Sequence, residues 1–177
     1  MACPNKEVKY TYKGITLPSP QNLTINEMNN IMIQVVDTLL SSGLPNMNVN
    51  IACGIAGNIK AESEFNYTAI GDSGSSYGLC QWHNTRMEKL YSYCKTINKS
   101  PNTVDGQMQY LIYELKNSYK SVYNTISSPS YLNDIGNIAE YFCRHFEVPK
   151  NQGTTCPSRI ALAKQVFIDY NSLKGQS

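Results

Sequence analysis

Charge is scarce in this 177-residue chain: Asp, Glu, Lys and Arg make up 16 % of it and nearly cancel, to +2. So small a balance gives no footprint for nucleic acid and is no more than compatible with an acidic polymer. Long apolar runs are also missing. No stretch reaches the roughly 20 residues of a membrane span, and the opening MACPNKEVKYTYKG has no apolar core of a secretory signal. Paired CxxC spacings of a structural zinc site are absent; Cys80-Gln-Trp-His83 and Cys143-Arg-His145 resemble ligand pairs but do not recur in that form. Neither a metal nor a cofactor is therefore expected. No internal repeat or low-complexity segment interrupts the chain.

What remains is a composition that folds. Hydrophobic residues reach 41 %, and the length suits one domain with a full core, with or without a short appended arm. Six cysteines (Cys3, Cys53, Cys80, Cys94, Cys143, Cys156) permit three disulfides. Cys53, Cys94 and Cys143, however, fall on apolar positions of helical patterns, where a free thiol behaves as a small hydrophobe. The other three stay open, with Cys3–Cys156 one candidate pair.

Residues 1–23 contain Pro4, Pro18 and Pro20 and a short alternation through Val8, Tyr10 and Tyr12. They read as an extended arm with at most one edge strand, leaving 24–177 as the main domain. Thr24 and Glu27 form a capping box, followed by Met28, Ile31, Met32, Val35 and Leu39 at helical spacing and a stop at Gly43. Further helices are expected from Val49 to Phe65, around Met87–Cys94, over 104–119, from Ile135 to Phe146, and from Pro157, placed at a first helical position, through Tyr170. Only Gly71-Asp72-Ser73-Gly74-Ser75-Ser76-Tyr77-Gly78 looks β-like or irregular. The reading is mostly α, with a small hairpin or loop inserted after the second helix.

That second helix carries the first chemical argument. Ala52, Ile55, Ala56 and Ile59 make a buried stripe, and a further step of three lands on Glu62. A carboxyl thus stands where an apolar residue belongs, beside the glycine-rich loop. Desolvation there would favour its protonated form, and a neutral carboxyl can protonate a glycosidic oxygen. The alternative is a helix-end glutamate satisfied by backbone N–H groups or paired with Arg86 or Lys60. Glu64 points away and reads as solvated.

Glu62-Ser63-Glu64-Phe65, then Gly71-Asp72 and Gly78-Leu79-Cys80-Gln81-Trp82-His83, resembles the phage tail lysozyme family. That family is related to goose-type lysozymes and soluble lytic transglycosylases. The likeness extends from about Thr24 to Tyr170, through the helix over 104–119, the Phe146-Glu147-Val148-Pro149 segment and Arg159. Cys80 departs from it, standing where a small or simple apolar residue is expected.

The resemblance implies a lysozyme-like helical domain that cleaves peptidoglycan glycan strands between N-acetylmuramic acid and N-acetylglucosamine. Glu62 matches the general acid and Gln81 a substrate-binding amide, unless Gln81 only braces its loop. Asp72 is the candidate second carboxylate that activates water, or else an Asx-turn residue. Glu147 is the outside candidate for that role, or is ion-paired with Arg144 or Arg159. Ser76 and Tyr77 either line the saccharide cleft or fix the loop; Trp82 either stacks on a sugar or belongs to the core. His83 either touches substrate or is a satisfied surface histidine. Rival readings are a lytic transglycosylase forming an anhydro sugar, a cysteine peptidase pairing a thiolate with His83 or His145, and a non-catalytic wall-binding module. Without a visible signal, delivery to the wall falls to a phage particle, a holin, another export route or a larger wall-targeting protein.

Overall fold

The computed structural model describes residues 9–175. Seven α-helices are present among them: α1 (Ile25–Leu40), α2 (Val49–Ser63), α3 (Thr85–Thr96), α4 (Val104–Lys116), α5 (Lys120–Ile126), α6 (Ile135–Phe142) and α7 (Gln152–Lys174). A hairpin of β1 (Thr11–Tyr12) and β2 (Ile15–Thr16) precedes them. A three-stranded antiparallel sheet of β3 (Ile70–Gly71), β4 (Ser76–Tyr77) and β5 (Trp82–His83) separates α2 from α3. The mostly helical architecture with a small β insertion after the second helix is the one expected.

Helix α2 lies at the centre, against α1, α6 and α7. Asn48 caps it by accepting from Ile51 N at 2.9 Å, and every residue from Ile51 to Ile59 is buried. The expected stripe is thus one side of a helix buried all round. Small residues make that burial feasible. A Cβ on Gly54 would stand 2.5 Å from Ile138 Cγ2, and one on Gly57 would stand 2.5 Å from Ala163 Cα. Two glycines therefore let α6 and α7 approach the α2 backbone.

Helix α1 starts as anticipated, with Glu27 N donating to Thr24 Oγ1 and Thr24 N donating to Glu27 Oε2. Other boundaries differ. Helix α2 stops at Ser63, because Glu64 and Phe65 take left-handed backbone at φ 51° and 64°. Helix α4 ends at Lys116, short of the 119 expected, and α5, which was not expected, follows after a short turn. The expected helix from Ile135 to Phe146 is α6 followed by a π-turn over Cys143–Glu147. Pro157 lies inside α7: the helix begins at Gln152, where Asn151 O collects the N–H groups of Thr154 and Thr155 (3.2 and 2.9 Å).

The segment before α1 is a hairpin where a single edge strand was expected, closed at Lys13 and Gly14 with φ 44° and 81°, the twist a two-residue hairpin loop favours. It packs down. Leu17 is buried in the core, and Gln21 N donates to Thr68 Oγ1 at 2.8 Å. Cys3, Pro4 and Val8 lie outside the described residues. Cys53, Cys94 and Cys143 are buried free thiols, as expected, and so are Cys80 and Cys156. No helix among the described residues is long and apolar enough to cross a membrane.

Candidate active site

The end of α2 is fastened to the glycine-rich loop by its own side chains. Ser63 Oγ donates to Leu79 O at 2.9 Å, so the Glu-Ser and Gly-Leu segments are joined by a bond. Gln107, fully buried on α4, holds the same strip from below. Its Oε1 accepts from Leu79 N (2.9 Å) while Nε2 donates to Tyr67 O (2.8 Å) and Pro101 O (2.9 Å). Gly78 is needed there: φ is +78°, and a Cβ would stand 2.6 Å from Gln107 Oε1. Gln81 braces the loop through Nε2, which donates to Ala69 O (3.1 Å) and Gly78 O (3.0 Å). Of ten non-glycine residues at positive φ among those described, six lie between 64 and 84: Glu64, Phe65, Asp72, Ser73, Gln81 and Asn84. Such backbone costs roughly 1–3 kcal/mol per residue, and it collects at functional sites held by their surroundings.

Glu62 sits on the last turn of α2 with its side chain 21 % exposed, and Arg159 Nη2 of α7 donates to its Oε1 at 2.7 Å. Arg159 itself is buried and also donates from Nη1 to Asn58 O at 3.3 Å. The partner of Glu62 is thus neither Arg86 nor Lys60. Lys60 faces Asp169, and Arg86 holds the nearly buried Glu114 through Nε (3.0 Å) and Nη2 (2.9 Å). Glu64 is exposed, as expected.

Glu147 departs from the ion pair foreseen for it. Arg144 pairs with Glu140 and Arg159 with Glu62, while Glu147 Oε1 is buried with no hydrogen-bond partner. Burial, then the neighbouring Glu62 carboxylate, push the Glu147 carboxyl up to about 8, against the opposing pull of Arg86 and Arg159.

Asp72 lies at the other side of the loop, with φ 47° and its side chain exposed. The strand register sets Gly71 opposite Ser76 and Ser76 opposite His83. Ser76 Oγ donates to Asp72 Oδ2 at 2.7 Å. His83 Nδ1 is 2.9 Å from Ser76 Oγ, and Asn84 Nδ2 is 2.6 Å from His83 Nε2. With Ser76 donating to Asp72, an Nδ1–H of His83 completes a one-way chain, Asn84 to His83 to Ser76 to Asp72. That chain orients the Asp72 carboxyl while leaving it in water.

Two proposed sugar contacts turn inward instead. Trp82 is fully buried and donates from Nε1 to Glu114 Oε2 at 2.8 Å, so no face is free for stacking. Tyr77 is also fully buried, and its hydroxyl donates to Asn102 Oδ1 at 3.0 Å. Ser76 is buried at its Asp72 bond. All three hold the loop in shape. The peptidase alternative finds no support among the described residues: their five cysteines are all buried, and burial pushes the Cys53 thiol up to about 12.

Sequence reasoning missed Gln107 and Glu114, which are seven residues apart on the buried face of α4. Their spacing within the apolar stripe was the available signal. Buried polar groups at core positions are satisfied or functional, and these two support the loop and Trp82.

A helical domain with an acid on the last turn of its central helix, bound to a glycine-rich three-stranded loop, is a lysozyme-like domain. Residues 30–170 match the family model described as Phage tail lysozyme, and the chain belongs to that family. Its activity is accordingly lysozyme-like and peptidoglycan-lytic. No curated protein matches the chain.

Proposed function

We propose that this chain is a muramidase, hydrolysing the bond between N-acetylmuramic acid and N-acetylglucosamine with Glu62 as general acid and Asp72 as the base that readies water. The observation that carries the reading is the setting of Glu62: a carboxyl on the last turn of a buried helix, oriented by Arg159 and joined through Ser63 to the loop. Protonating a departing sugar oxygen needs an acid fixed in this manner. Asp72 supports hydrolysis over transglycosylation, because its exposed carboxyl is aimed by Ser76 and can meet a water. Gln81 borders the same loop; with its Nε2 hydrogens bonded to Ala69 O and Gly78 O, its Oε1 is the atom left to accept from an N-acetyl N–H or a ring hydroxyl. The chemistry requires no cofactor. The partner is the glycan strand, reached by way of a phage particle, a holin or another export route.

Glu62→Gln keeps the side-chain shape and removes the proton. It should lower lysis of purified peptidoglycan by at least about 100-fold. Mass spectrometry of wild-type products should find reducing ends one water heavier than the anhydro sugar. Unchanged lysis by Glu62→Gln would end the reading, and anhydro products would convert it to a lytic transglycosylase.

A further inference from the structure

Helix α3 buries Met87, Leu90 and Cys94. Its outer surface carries two stripes with helical steps of three and four, and each lines a hollow. Glu88, Tyr91, Ser92 and Lys95 line one of about 750 Å³, flanked by Lys13 of the hairpin and the turn over 98–102. Lys89, Ser92, Tyr93 and Thr96 line the other, of about 440 Å³, against Tyr110 and Tyr113 of α4. Ser92 belongs to both, so the two hollows meet across the helix. Neither is lined by Glu62, Asp72 or Gln81. Both nevertheless back onto the loop. The Tyr110 ring lies 5.6 Å from Trp82 of β5, and the hydroxyls of Tyr91 and of Tyr77 of β4 both donate to Asn102 Oδ1 (2.8 and 3.0 Å).

The lining is basic and aromatic. Lysines outnumber acids four to one in the two hollows: Lys13, Lys89, Lys95 and Lys99 against Glu88. Lys13 holds that glutamate at 2.8 Å and Lys99 bonds Asp105, while Lys89 and Lys95 have no ion-pair partner among the described residues. Tyr93 and Tyr113 stack with ring centroids 4.5 Å apart, and Tyr113 is 42 % exposed. Their hydroxyls make no hydrogen bond among the described residues. We propose that this groove across α3 is a second binding site for the glycan strand, outside the catalytic cleft, taking uncut peptidoglycan with its peptide stems attached. The choice of ligand rests on the chain cleaving glycan strands. A sugar ring offers its C–H face to a tyrosine plane and its hydroxyls to free phenol groups. Stem carboxylates carry the negative charge that complements the unpaired lysines. A compact anion would fill one hollow, whereas two hollows joined across a helix fit an extended polymer. A strand held at the groove stays near the loop after each release, which raises the effective concentration of its next bond there.

The probe is solubilised, peptide-bearing glycan strands, added to isotope-labelled Glu62→Gln protein so that they stay uncut. Amide signals over 88–99 and at Tyr113 should shift, together with those over 62–83 at the loop. Shifts at the loop alone overturn the groove. Shifts at the groove alone support it and overturn the catalytic reading of the loop, so the two failures are distinct. Calorimetry in the same background gives the affinities. Tyr113→Ala should weaken strand binding about 2–10-fold. Lys95→Gln should weaken it about 2–5-fold, a difference that closes in about 1 M salt. Lys120→Gln, an exposed lysine of α5 outside the groove, should bind as its parent does. Parental affinity in both groove variants overturns the proposal. So does poly(glycerol phosphate) shifting the groove signals with the same affinity as the strands, which would mark a site for any anionic polymer. Dimers that form with rising concentration and are broken by Tyr113→Ala would make the groove a self-contact, and overturn it as well.

Discussion

Folding encloses Glu147 Oε1 with no hydrogen-bond partner, and burial raises the pKa of its carboxyl, which links its protonation to stability. Its folded value of about 8 lies above the ordinary 4.5, so across that window the native state binds the extra proton. Stability should therefore be greatest from this group below about 4.5, fall as pH rises to about 8, and be level beyond. Glu147→Gln cannot ionise and should flatten that fall, so it gains on wild type in alkaline solution. Thermal denaturation of both proteins across this pH range checks it, and parallel curves would count against it. The place of Glu62 on the last turn of α2, against the glycine-rich loop, was legible from the stripe on α2 and from the Glu-Ser and Gly-Leu segments; its role as general acid is a proposal. The isolation of Glu147 was not legible. It follows the π-turn over Cys143–Glu147, whose extra residue rotates the following side chains out of the α-helical period. Trp82 was legible only as an even choice, since sequence does not say which aromatic ring a buried carboxylate such as Glu114 will hold.

Between elements, the approach of α7 to α2 sets the distance from Arg159 to Glu62. Gly57 governs that approach, because a Cβ there would stand 2.5 Å from Ala163 Cα and 2.6 Å from its N, both backbone atoms that cannot swing aside. Arg159 precedes Ala163 by one helical turn. Gly57→Ala should thus cost about 1–3 kcal/mol of stability by overpacking. It should also lower lytic activity at temperatures where the variant is fully folded, by displacing Arg159. Gly153→Ala, with nothing within 4 Å of its added Cβ, is the comparison that should leave both unchanged. Chemical denaturation and specific activity of the two variants measure this; a Gly57→Ala protein as stable and active as wild type would refute it. The helices themselves were largely readable because each has its own apolar period and cap. Their joints were not, since α5, the π-turn and the start of α7 depend on backbone bonds such as those gathered by Asn151 O.

Across the whole molecule, the first described residues are fastened to the same loop as α2, the helix that carries the candidate acid Glu62. Leu17 is 2 % exposed within the core cluster. The Tyr10 ring covers Gly74 so closely that an added Cβ would stand 2.7 Å from it. Gln21 accepts from Asn66 Nδ2 at 2.9 Å and from the Tyr67 hydroxyl at 3.1 Å. The proline content suggested an extended arm, and nothing in an alternating pattern of a few residues could say where it would dock. These contacts make the segment over 9–23 part of the support for the Asp72 loop. Leu17→Ala should then destabilise the protein by about 2–5 kcal/mol, in a single unfolding transition that fluorescence of buried Trp82 and helical circular dichroism report at the same midpoint. An arm that folded apart from the domain would give a different result: the Trp82 and helix transitions would stay where they are in wild type. Coincident, lowered midpoints with reduced lysis would show that hairpin, loop and helices hold the site as one cooperative unit.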